Sequence, residues 1–132
     1  MTNPNKDIET LDDVKLMVNT FYGSVRKDEM LGPIFNEVIQ DRWDQHLEKM
    51  YRFWQTVLLD EHTYNGAPFI PHANLPVEKA HFEQWLNLFN TTVDSLFIGD
   101  KATRAKWQGS KMAEMFLYKI TYYRNSTTTP IQ

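Results

Sequence analysis

A chain of 132 residues has the length of one domain able to bury a core unaided, and a net charge of −3 argues against a phosphate-backbone partner. With no cysteine, disulfide staples, iron–sulfur clusters, thiolate zinc sites and cysteine nucleophiles are excluded, and a reducing, cytoplasmic compartment fits. The first residues, Met1 to Asp7, show no apolar secretory core, and no run approaches the ~18 apolar residues that begin to suggest a membrane span.

Residues 1–9 read as a flexible lead-in to a single domain spanning 1–124. The first helix is expected from about Leu11 to Lys27, with Leu11, Val14, Met17, Val18, Phe21, Tyr22 and Val25 at helical spacing. Thr10 and Asp13 supply a capping-box start. Gly32-Pro33 then breaks the chain, leaving Ile34 and Phe35 in a short turn. A second helix is expected from Asp41 to Leu59, with Trp43, His46, Leu47, Met50, Phe53, Trp54, Val57 and Leu58 on one broad face.

The proline-bracketed loop from Asp60 to Pro71 is long for a structureless connection in a small domain, and loops of that length tend to be functional. A third helix should start near Pro76, carry Phe82, Trp85, Leu86, Phe89, Val93, Leu96 and Phe97, and stop at Gly99-Asp100. The fourth should run from Lys101 to Tyr123, with Ala105, Gly109, Met112, Phe116, Ile120 and Tyr123 inward; 125–132 reads as a disordered tail. No segment alternates long enough for a sheet. The expected class is all-α.

Three polar-tipped residues point inward from three helices. His46 lies in line with Met50 and Phe53, Tyr22 with Val18 and Val25, and Trp85 with Phe82 and Phe89. Each is either a core residue bonded to a carbonyl or part of a site, because a buried ring nitrogen or phenol needs a partner. His72 closes the long loop, and is either an exposed loop residue or a metal ligand approaching opposite His46. His62 and His81 read as exposed. No zinc-protease helix, phosphate-binding glycine loop or serine elbow is present, and the Glu78…His81 spacing of a di-iron site occurs only once.

Together these stretches resemble the truncated haemoglobins, specifically group III. Phe21-Tyr22-Gly23-Ser24-Val25 with Leu31-Gly32-Pro33-Ile34-Phe35 resembles the family's B helix and its close. His46 followed by Met50, Phe53 and Trp54 resembles its E helix. The run Leu58-Leu59, Tyr64-Asn65-Gly66, Pro68, His72 and Leu75-Pro76 resembles the approach to the proximal histidine, and Trp85 with Leu88 and Phe89 the G helix. Glycine pairs usual in groups I and II are absent, which is the group III pattern. The resemblance covers about Leu11 to Tyr123.

It implies a shortened globin fold, a two-over-two helical sandwich around haem b (iron protoporphyrin IX). It makes His72 the iron ligand, Tyr22, His46 and Trp85 the distal polar set, and Phe35, Met50, Phe53, Trp54, Tyr64, Leu75 and Phe89 cofactor contacts. Lys49 and Tyr64 are positional candidates for the propionates. The implied ligands are dioxygen, nitric oxide, carbon monoxide or peroxide, with an unidentified reductase as electron source and nitric oxide dioxygenase-like or peroxidase-like activity in view. Two other readings stand beside this one: a haem-based sensor acting through a partner, and a helical interaction module without a cofactor.

Overall fold

The computed structural model describes residues 6–64 and 77–128. Its helices are α1 (Leu11–Lys27), α2 (Gly32–Ile39), α3 (Trp43–Leu59), α4 (Lys79–Leu96) and α5 (Asp100–Thr128), and no strand occurs among the described residues. α1 packs against α3 and α4, α4 packs along α5, and α3 reaches α5, giving two helical layers. No described helix is long and apolar enough to cross a membrane.

α1 forms as its sequence dictates. The Thr10 hydroxyl accepts from the Asp13 amide and the Asp13 carboxylate accepts from the Thr10 amide, closing the capping box. Asp12 and Asp13 sit at the positive end of the helix dipole, Arg26 and Lys27 at the negative end. The apolar stripe from Val14 to Val25 is buried throughout, forming the central ridge of the core.

α2 replaces the expected turn. Gly32-Pro33 opens a helix here because proline at the first turn has no amide to lose and a φ already suited to helix. Asp28 prepares that start: its carboxylate accepts from the amides of Met30 and Leu31, and also from Gln84 on α4 at 2.7 Å. One side chain therefore ties the end of α1 to α2 and α4.

α4 starts at Lys79, later than the proline signal predicts, after an extended Glu78 (φ −122°, ψ 178°) whose amide donates to His81 Nδ1 at 2.8 Å. α5 continues to Thr128, beyond the expected end at Tyr123 and into the stretch read as a disordered tail. The lead-in is also held rather than loose from Lys6 onward. Asp7 accepts from the amides of Lys101 and Ala102, both at 2.8 Å, and so caps α5 from a distant part of the chain. Ile98 donates to the Lys6 carbonyl at 2.8 Å, and Ile8 is fully buried. Gly99, at φ +137°, permits this junction, since a Cβ there would lie 2.6 Å from the Asp7 carboxyl carbon.

Candidate functional site

The two layers do not close on each other completely. Between them lies a cavity that opens to solvent. Its walls come from every helix: Phe21 and Tyr22 on α1, Phe35 on α2, and Met50, Phe53 and Trp54 on α3. The rest of the lining is His81, Phe82 and Trp85 on α4, with Met112, Phe116 and Ile120 on α5. The lining is overwhelmingly apolar and aromatic, which suits a flat apolar occupant.

The back wall is a fixed aromatic stack. Phe89 is 1% exposed and lies between Trp54 (5.2 Å, 18°) and Trp85 (5.4 Å, 9°), so it supports two lining residues from behind. The Phe21 ring meets Trp85 and Phe89 edge-on, each at 5.2 Å. Gly109 lets α5 come close to this stack, because a Cβ there would be 3.1 Å from the Phe89 ring. Rings packed this way have few rotamers open to them, so the wall is preorganised.

Tyr22 is the most informative polar group. Its side chain lines the cavity, is 7% exposed, and its hydroxyl has no hydrogen-bond partner among the described residues. Burial pushes the phenol's pKa up, so the group stays a neutral donor. A cavity-wall donor without a protein partner is free to bond an acceptor on whatever occupies the cavity. His46, half-buried on α3, packs edge-on against the Tyr22 ring at 5.0 Å and against Trp43 at 5.7 Å. The Arg26 guanidinium lies over the Trp43 ring at 4.5 Å. His46 therefore stands next to the cavity's polar corner, behind Tyr22, rather than among its lining residues.

The chain leaving α3 turns back along it. Asp60 adopts a left-handed conformation (φ 56°), and the Thr56 hydroxyl accepts from the amides of Thr63 and Tyr64. This seats the Tyr64 ring edge-on against Phe53 at 5.4 Å. His72 and Leu75 lie outside the described residues.

Of the residues singled out in the sequence, the fold brings Tyr22, Phe35, Met50, Phe53, Trp54 and Trp85 to one cavity. Tyr64 and Phe89 buttress it from one layer out, and Lys49 is exposed on α3, away from the lining. His81 was expected to be exposed; it is half-buried and lines the cavity. The available signal was its position four residues before Trp85, which puts the two on one face of α4.

A family model described as bacterial-like globin matches residues 7–118. The chain is 38% identical over 90 residues to the Group 3 truncated hemoglobin ctb of Campylobacter jejuni subsp. jejuni serotype O:2, covering 65% of this chain and 71% of that protein. The crystal structure of group III truncated hemoglobin from Campylobacter jejuni superposes with a TM-score of 0.77 at 31% identity, covering 84% of this chain and 91% of that one. Membership of a haem-binding family sets aside the cofactor-free helical module and agrees with the apolar cavity and the waiting phenol donor. A family match that runs from the lead-in into α5, together with this structural likeness, makes the chain a bacterial-like globin, a haem-binding truncated haemoglobin of group III.

Proposed function

We propose that the cavity takes haem b and that the protein binds dioxygen and other diatomic ligands there, with redox turnover of oxygen, nitric oxide or peroxide rather than oxygen transport. When bound, the haem supplies a redox-active iron with a coordination position for a small ligand. His72, in the sequence between α3 and α4, would be the iron ligand in this reading. Phe35, Met50, Phe53 and Trp54 would pack on the macrocycle, with Tyr64, Leu75 and Phe89 behind or beside it and Lys49 near its polar edge.

The observation that carries the reading is Tyr22, a buried cavity-lining donor with no partner among the described residues. Its phenol would hold a ligand oxygen that has drawn negative charge, and the Trp85 indole offers a second donor from the facing helix. A hydrogen bond to a charged acceptor is worth roughly 1.5–3 kcal/mol, so each donor slows ligand escape about tenfold to a hundredfold. Such retention suits turnover better than delivery. His46, against the Tyr22 ring, would then move a proton or control access. An unidentified reductase would return electrons, and the cysteine-free composition fits a cytoplasmic setting.

The test is stopped-flow kinetics on the ferrous protein. Slow oxygen dissociation, with consumption of nitric oxide by the oxygenated form or reaction of the ferric form with peroxide, is the expected result. Fast oxygen release with neither reaction would leave simple ligand binding.

A further inference from the structure

We propose that His81 is a carboxylate-binding residue of the haem cavity, donating from Nε2 to the anionic edge of the occupant. The inference rests on the haem b reading above, since haem b is an apolar disc that carries two propionate carboxylates on one edge.

Three observations carry it. His81 lines the cavity, half-buried, on the same face of α4 as Trp85. Its Nδ1 is already committed, accepting the Glu78 amide at 2.8 Å in the cap of α4. A nitrogen that accepts carries no proton, so the neutral ring bears its hydrogen on Nε2. That nitrogen has no partner among the described residues. The helix cap thus fixes the tautomer and leaves a single donor, with the ring held at the wall.

The surroundings point to a carboxylate as the acceptor. A carboxylate brought against this apolar lining needs a donor, or its desolvation opposes binding. The neighbouring cation, Arg124, is engaged elsewhere: it pairs with the Glu78 carboxylate at 3.3 Å and donates to the Val77 carbonyl at 2.8 Å. His81 supplies the donor at this corner of the cavity without adding a buried charge. The other lining donors, the Tyr22 phenol on α1 and the Trp85 indole on α4, are neutral too.

The experiment compares two cofactors in the full-length protein. Wild type, His81→Phe and His81→Gln are each loaded with iron protoporphyrin IX or with its dimethyl ester, which lacks the carboxylates. The rate of porphyrin transfer to an excess of acceptor apoglobin is followed by absorbance. His81→Phe should speed loss of the free acid about tenfold to a hundredfold and leave loss of the ester unchanged. His81→Gln, whose amide donates, should stay within about threefold of wild type for both. His81→Leu replaces the Phe variant if that variant does not fold. Equal acceleration of both porphyrins overturns the proposal, because loss of the α4 cap or of an iron–imidazole bond would act on both alike. So does no acceleration of either, or a glutamine variant that loses the free acid as fast as the phenylalanine one. If the wild type retains neither porphyrin, the haem reading itself fails and takes this inference with it; the other negative results leave that reading standing.

Discussion

Replacing Tyr22 by Phe removes one oxygen atom and keeps the ring that α1 presents to the core. The ring's edge-on neighbours, Phe21 at 4.9 Å, His46 at 5.0 Å and Trp43 at 5.9 Å, touch the aromatic carbons and remain. Since the phenol has no protein partner among the described residues, folding stability should hold level or rise slightly when it goes. The ligand loses its donor. A charge-assisted hydrogen bond of roughly 1.5–3 kcal/mol corresponds to oxygen leaving about tenfold to a hundredfold faster. Stopped-flow displacement of oxygen by carbon monoxide reads this rate directly. Because burial pushes the phenol's pKa above its ordinary value of 10.0, the donor stays protonated and the wild-type rate should show no Tyr22 titration up to about pH 9. An unchanged rate in Tyr22→Phe would refute the reasoning and hand the role to Trp85 or His46.

His46→Leu separates two roles: loss of a proton donor should depress the peroxide reaction, whereas loss of a gate should mainly change the rate of carbon monoxide association after flash photolysis. Asp7→Ala should cost about 1 kcal/mol in chemical denaturation by uncapping α5. Desolvation works to raise the Asp7 carboxyl, but the amides of Lys101, Ile8 and Ala102 hold it below the ordinary value. Its stabilisation is therefore complete above the unfolded pKa of about 4 and is lost as pH falls through the lower folded value, so the gap between wild type and Asp7→Ala should narrow on acidification. Gly99→Ala should destabilise the fold by about 1 kcal/mol or more, since it imposes a side chain at φ +137° against Asp7.

The helices that were legible in the sequence are those whose burial follows a single stripe. Val14 to Val25 reads as one face of α1 and is buried as one face, and the Thr10–Asp13 box marks its first turn. α2 was not legible because Gly32-Pro33 carries two meanings, breaker and helix start. What decides between them is Asp28, which receives the Met30 and Leu31 amides and the Gln84 side chain from a helix far along the chain. The lead-in is illegible in sequence for the same reason. Lys6 and Asp7 look like a polar terminus, and only their contacts with Ile98, Lys101 and Ala102 make them structure.

The cavity shows the same division. Tyr22, Phe53, Trp54 and Trp85 announce themselves by chemistry and periodicity, so the site could be sketched from spacing. His81 does not, because the sequence cannot show that one ring nitrogen is taken up by the Glu78 amide and the other left over. Nor could spacing alone place Phe89 behind Trp54 and Trp85 rather than in the lining, since all three are large, apolar and in phase.

The central claim is that this globin holds haem b through His72, and absorption spectroscopy of protein purified with haem available tests it most directly. Haem b held by His72 should give an intense Soret band and the pyridine haemochrome spectrum of haem b, with both lost in His72→Ala unless imidazole is added to replace the missing ligand. Wild type that takes up no haem, or a His72→Ala protein that retains haem with unchanged axial ligation, would contradict it.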